Sequence, residues 1–340
     1  MAKEIKPIRD VFGRLLKDLR ISVTDRCNLR CTYCMPKEIF GDDYPFLPRE
    51  QLLSFEEITR VATAFSKLGV NKIRLTGGEP LMRKDLHKLI AKLTEIEGID
   101  DLALTTNGFF LPRDAQNLKD AGLQRVNISL DAIEDEVFEV INGRGVGTLP
   151  TLKGIEAAQE VGLEIKINMV VKKGMNEDQI VPMARHFKGK NMILRFIEFM
   201  DVGNHNNWDM KYVISKKDIV DMIHKEMPLV PAEENYYGEV ASRYKYEDGE
   251  GEIGVISSVT DSFCGTCSRM RLSADGKLFT CLFATGGFEI RDKLRAGMTD
   301  EELMNELTSI WENRTDRYSE ERGTINHSDR EKIEMSYIGG

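Results

Sequence analysis

The stretch Asp18–Pro36, DLRISVTDRCNLRCTYCMP, runs from an apolar, β-branched segment straight into three cysteines, Cys27, Cys31 and Cys34. Leu19–Thr24 reads as a strand, which puts the cysteines on the loop that follows it. Three thiols are too many for one disulfide and one short of the four ligands of a structural zinc. The fold around this loop and the purpose of the odd number are therefore one question.

Outward from this stretch, strand-like runs recur ahead of helical periodicity, at Lys72–Gly77, Leu102–Asn107, Arg125–Asp131, Glu164–Val171 and Met192–Met200. Between the first two strands Ser54 and Glu57 form a capping box, and Ile58, Val61, Ala62, Phe65 and Leu68 recur at helical spacing. Gly69 stops that helix. Further helices are predicted near Asp85–Ile96, Arg113–Ala121, Ile133–Ile141, Leu152–Val161 and Glu177–Phe187. Six β-then-α units imply an α/β fold with a parallel sheet and helices outside. Six is short of the eight of a closed barrel, so an incomplete barrel and an open doubly wound sheet both fit. Past about residue 225 the alternation ends, dividing the chain into domains at 11–225 and 226–340. The second holds a hairpin around Asp275-Gly276, a helix near Asp300–Trp311 and a charge-dense, solvated stretch over Glu312–Glu334.

The 340 residues are 41% hydrophobic and 30% charged, with a net charge of −9. That acidity argues against nucleic acid or an anionic membrane as a partner. No run is long enough to span a bilayer and the amino terminus lacks a secretory apolar stretch, so a cytoplasmic protein with reduced thiols is expected. An anionic ligand would need a local basic cluster.

All six cysteines fall into two groups of three, the second being Cys264-x2-Cys267-x13-Cys281. The histidines His87, His186, His205, His224 and His327 show no ligand spacing to either group. One zinc shared by both CxxC pairs would leave two cysteines over. A four-iron cubane needs one outside ligand per iron, so three thiolates leave one iron open for a bound molecule. In an extended strand Cys267, Arg269 and Arg271 share a face. A three-residue hairpin loop, Ala274-Asp275-Gly276 with Gly276 left-handed, would pair Cys281 with Arg269; a two-residue loop would pair it with Met270, on the wrong face. Forked guanidiniums beside an open cluster suit phosphate, and Arg20, Arg74 and Lys166 on other strands supply the basic cluster.

The Cx3Cx2C loop with Tyr33 before its last cysteine, followed by Gly77-Gly78-Glu79-Pro80 after the second strand, resembles the radical S-adenosylmethionine (SAM) superfamily. LTTNG, VNISLD, RFIEFMDVG, FCGTCSRMRLSADGKLFTCLF and the closing YIGG extend that resemblance along the chain to the branch that opens molybdenum cofactor biosynthesis, with no departure at a motif position. The resemblance implies an incomplete (βα)6 TIM-like barrel closed by a smaller α+β domain, two [4Fe-4S] clusters on the two triads, and SAM chelated at the first. It assigns SAM contacts to Tyr33, Gly78, Ser129 and Met200. GTP contacts fall to Arg20, Arg74, Thr105, Lys166, Arg269, Met270 and Arg271, with Arg20, Arg269 and Arg271 as the catalytic set. The implied reaction takes the ribose 3′ hydrogen of GTP and joins C3′ to guanine C8. The implied functional partner is cyclic pyranopterin monophosphate synthase; oligomeric state is left open, a homodimer included.

Three lesser signals remain. Gly339-Gly340 fits a disordered end or a ubiquitin-type sulfur carrier, whereas the resemblance implies a tail threading back to the active site. Gly143–Gly147, GRGVG, follows a helix and lacks a Walker lysine pattern, so it reads as a mobile loop from which Arg144 could reach a ligand. His205, between Asn204 and Asn206, reads as turn chemistry. Two other functions compete: another radical SAM enzyme with an auxiliary cluster, such as a peptide maturase, and a non-catalytic iron–sulfur carrier or zinc scaffold. The second has no use for the GGEP turn or the arginines.

Overall fold

The computed structural model describes residues 7–323 and 331–339. Six strands follow the predicted order: β1 (Asp18–Ser22), β2 (Lys72–Thr76), β3 (Asp101–Thr106), β4 (Arg125–Ser129), β5 (Glu164–Val171) and β6 (Ile193–Glu198). The helices between them are α1 (Phe55–Lys67), α2 (Leu86–Thr94), α3 (Leu111–Asp120), α4 (Asp135–Asn142), α5 (Leu149–Glu160) and α6 (Ile180–Phe187). The capping box at α1 forms as read: the Ser54 side chain accepts from Glu57 N–H while the Glu57 carboxylate accepts from Ser54 N–H. Such a cap is worth about 0.5–2 kcal/mol. Ile58, Val61, Ala62 and Phe65 on its inner face are buried in the main core.

All neighbours from β1 to β6 pair in parallel. The later chain adds α7 (Lys216–His224), strands β7 (Leu229–Ala232), β8 (Ala241–Tyr246), β9 (Glu252–Ile256), β10 (Arg269–Leu272), β11 (Lys277–Phe279) and β12 (Phe288–Glu289), and helices α8 (Arg291–Arg295) and α9 (Asp300–Glu312). The resemblance implies a smaller domain closing the partial barrel; in the structure β9 joins β6 and β10 joins β1, both in parallel, so the late strands lengthen the sheet at both edges. The sheet order is β12-β11-β10-β1-β2-β3-β4-β5-β6-β9-β8-β7. Eight consecutive strands of it, β10 through β9, are parallel. Along them side chains alternate: Leu19, Ile21, Ile73 and Leu75 enter the core, while Arg20 and Arg74 face a cavity.

The stretch Glu312–Glu334 departs from expectation. Arg314 and Tyr318 are buried, and α10 (Tyr318–Glu321) and α11 (Met335–Ile338) follow. The Tyr318 hydroxyl and Arg322 both bind Asp201, so some of these charges go into internal ion pairs that composition cannot distinguish from a solvated face. Residues 324–330 of that stretch, with His327, and Gly340 of the tail lie outside the described residues. No helix among the described residues is long and apolar enough to cross a membrane.

Candidate active site

Backbone pairing between β1 and β2 continues past the strands and fixes the first cysteine loop. Val23 N–H donates to Thr76, Gly78 N–H to Thr24 and Glu79 N–H to Arg26, the last two at 2.8 and 2.7 Å. A Cβ on Gly77 or Gly78 would collide with the carbonyl oxygen of Thr24 or Arg26. The double glycine therefore admits the cysteine loop's own backbone, a closer demand than the ligand contact expected of it. Arg30 then binds the loop from within, donating to the carbonyls of Cys27 (2.7 Å), Leu29 (2.8 Å) and Phe40 (2.5 Å). Gly143 packs against Arg30, and Asn142 brackets the turn, so GRGVG is an anchored support and not a loose loop. Arg144 pairs with Asp42 at 3.7 Å and does not face the cavity. Tyr33 donates to Asp131 (2.7 Å), whose carboxylate burial pushes up to about 6 despite that bond.

All six cysteines are free and line one cavity of roughly 1740 Å3 of non-atom space, part of it open to solvent. Burial pushes Cys27 up to about 12 and raises Cys31 and Cys34 as well. The nearby Arg30 lowers Cys27, but burial outweighs it, so ligation by these thiols would draw on the charge of a bound metal centre. No group of three or more His, Cys, Asp or Glu among the described residues is placed to hold a single ion. Two sets of three thiols, each lining the cavity, are the donor chemistry of a cubane with one iron left open. The second triad differs: burial opposes ionisation of Cys267, but Arg269 and Arg314 overcome it and bring the thiol down to about 6.

The hairpin adopts the three-residue loop. Arg271 pairs with Phe279 and Leu272 with Leu278, a register that sets Arg269 opposite Cys281, and Gly276 has φ +88°. Arg269 and Arg271 line the cavity with Cys267 and Cys281. Met270 does not: its side chain is fully buried in the core on the other face, because strand residues alternate. Only its backbone is left for a ligand.

Parallel register aligns three guanidinium bearers, Arg271 beside Arg20 and Arg20 beside Arg74. Burial first, then Arg74 and Arg271, lowers Arg20 well below its usual value; burial and Arg269 bring Arg271 to about 10, and burial and Arg125 lower Arg74. Among the described residues the Nε atoms of Arg20 and Arg74 and the hydroxyl of Thr105 have no hydrogen-bond partner. Such unpaired buried cations are costly alone and favour a polyanion. Tyr33, Gly78, Ser129 and Met200 line the same cavity. Lys166 does not; it lines an adjoining pocket towards the strands' amino-terminal ends, which shares Arg20, Arg74, Arg195 and Arg269 with the main one.

Sequence reading missed Arg195, Arg30 and Arg314. Arg195 on β6 is brought to about 9, by burial first and then by Arg74 and Arg125, and is held by Asn168 (3.0 Å) and Asn127 (2.7 Å). Its inward alternation on RFIEF was the available signal. The tail does thread inwards: Arg271 donates to the Gly339 carbonyl, Gly339 abuts Thr76 and the Tyr337 hydroxyl binds Asp275 at 2.6 Å.

A parallel sheet with helices on its outer face, carrying a Cx3Cx2C loop after its first strand above a basic cavity, defines a radical SAM enzyme. The radical SAM superfamily pattern matches residues 21–187, and that of Molybdenum Cofactor Synthesis C matches 192–320. The chain is 52% identical to GTP 3′,8-cyclase of Staphylococcus haemolyticus (strain JCSC1435) and 53% identical to that of Staphylococcus carnosus (strain TM300), over 99% of its own length and all of theirs. It belongs to the GTP 3′,8-cyclase family. In fold it resembles Streptococcus suis SuiB bound to S-adenosylmethionine, with a TM-score of 0.61 and 15% identity over 89% of this chain and 67% of that one.

Proposed function

We infer that this chain converts GTP to 3′,8-cyclo-7,8-dihydro-GTP, the first step of molybdenum cofactor biosynthesis. The observation that carries the reading is one cavity holding both cysteine triads and an aligned row of arginines. Cys27, Cys31 and Cys34 would hold one [4Fe-4S] cluster and Cys264, Cys267 and Cys281 a second, each with one iron free for a ligand. Reductive cleavage of SAM at the first supplies a 5′-deoxyadenosyl radical, the hydrogen-abstracting agent.

The chain's own residues bind, orient and exclude water. Tyr33, Gly78, Ser129 and Met200 would seat SAM. Arg20, Arg74 and Lys166 would take the triphosphate, which relieves their repulsion, and the orphan hydroxyl of Thr105 would bind the nucleotide. Arg269 and Arg271 would hold guanine on the side of the second triad. Such a grip would orient the nucleotide so that ribose C3′, once stripped of hydrogen, could bond to guanine C8, with one electron and one proton completing the product. Positioning is the main contribution, since a misplaced carbon radical reacts with its nearest neighbour. In this reading residues 11–225 form the partial barrel and 226–340 the auxiliary-cluster domain. The reaction is cytoplasmic, and cyclic pyranopterin monophosphate synthase consumes the product.

The test is anaerobic reconstitution, dithionite reduction and assay of SAM cleavage with and without GTP. About eight irons and GTP-stimulated formation of deoxyadenosine are expected. Cleavage indifferent to GTP would point to another substrate, such as a peptide; zinc in place of iron would remove the radical chemistry.

A further inference from the structure

Arg314 lies just past α9, in the stretch whose composition suggested a solvated segment, yet it is 4% exposed. Its Nη2 donates to Cys267 Sγ at 3.2 Å and its Nη1 to the Cys267 carbonyl at 2.9 Å. Asp10 lies 3.6 Å from Nη1, and the guanidinium covers the Trp311 ring at 4.6 Å. Asp10 also binds Arg14 at 2.5 Å, and Arg14 Nη1 donates to the Cys264 carbonyl at 2.9 Å. The Trp311 indole N–H closes the ring on the Arg14 carbonyl. One aspartate thus joins two arginines that grip the two ends of the Cys264–Cys267 turn. The Cys267 carbonyl, Asp10 and the Trp311 ring together hold the Arg314 guanidinium against one sulfur.

A forked cation so placed does more than fold the loop. Hydrogen bonds to a ligating sulfur and a nearby positive charge withdraw electron density from an iron–sulfur centre. The reduced state carries one more negative charge than the oxidised state, so it gains more from the cation. Asp316 approaches Arg314 Nε at 3.5 Å and partly offsets this charge, but Arg269, stacked on Phe263 at 4.8 Å, adds to it.

We propose that Arg314 is a positioning residue that raises the reduction potential of the centre on the second triad through its hydrogen bond to Cys267. The proposal rests on the reading that Cys264, Cys267 and Cys281 hold a four-iron cluster. Its mechanism needs no contact between Arg314 and substrate, and it gives the segment Asp10–Arg14 a function through the same aspartate.

The test uses the full chain with Cys27→Ser, Cys31→Ser and Cys34→Ser, so that only the second centre is present, with Arg314 intact or changed to Gln or Lys. Iron is counted and reduction followed by EPR in a redox titration. With Arg314 intact, about four irons are expected. Arg314→Gln should lower the reduced-to-oxidised ratio at fixed potential about tenfold, about 59 mV for a one-electron couple. Arg314→Lys, which keeps a cation but loses the fork, should fall between. It carries the comparison if the glutamine variant does not load. No iron with Arg314 intact would overturn the cluster reading and the proposal with it. Loaded variants with an unmoved potential would overturn the proposal alone and leave Arg314 a brace.

Discussion

Arg20, Arg74 and Arg271 stand side by side along the cavity, and desolvation with like-charged neighbours, offset only in part by Asp18, makes them a strain on the ligand-free protein. Removing one should therefore separate stability from binding. Arg20→Met is expected to leave the melting temperature of the GTP-free protein level or higher. It should also abolish most of the thermal shift that GTP confers and reduce kcat/KM by about ten- to a hundredfold, the worth of a lost charge-assisted bond. A drop of several degrees without GTP would refute the argument. Glu79 shows the opposite kind of cost. It accepts from Leu81, Asn107 and Thr106, yet burial raises it from 4.5 to about 7. The folded state holds its proton more tightly than the unfolded chain, so its contribution is full below about pH 4.5 and is lost as pH rises through 7. Urea midpoints of Glu79→Gln should vary less across that window than those of the parent; parallel profiles would contradict this. At this scale the cysteines were legible because their chemistry admits few uses. Arg195 and Arg314 were not, since an arginine's partner is set by distant chain.

The turn after β2 illustrates what an element contributes. Gly78 has ordinary backbone angles, so alanine would fit the turn in isolation; the obstacle is the Arg26 carbonyl facing it. Gly78→Ala should push the cysteine loop off β2, costing about 1–3 kcal/mol of stability as an overpacked contact. Iron content should fall from about eight towards about four. Retention of all the iron in that variant would show the loop to be more compliant than its three backbone bonds suggest. The β10–β11 hairpin was readable in advance, register included, because turn residues and side-chain alternation are local rules. Met270 obeys the same rule: flanked by two cavity arginines, its side chain faces away into the core.

Across the whole molecule, the late chain completes what the early chain leaves open. Both β1 and β6 would be bare edges without β10 and β9. Exposed edges of a parallel, apolar sheet invite association. A fragment of residues 1–225 is accordingly expected to elute as aggregate in size-exclusion chromatography, even with its cysteine loop complete. A monomeric, folded fragment would mean that the barrel stands alone. The boundary near residue 225, drawn where the βα alternation ends, carries no information on how the parts join, because nothing local in GEIGVISSV or SRMRL names the strand it will pair with.

The sequence by itself determined the βα order, the helix caps, the hairpin register and the two sets of three thiols. Each of these follows from periodicity, turn chemistry or ligand number over a few neighbouring residues. Only the tertiary structure decided that both triads open into one cavity, that Arg20, Arg74 and Arg271 align, and that Asp10 and Arg314 meet beside Cys267. These are contacts between residues far apart in the chain, brought together by sheet register and core packing, which no local pattern encodes.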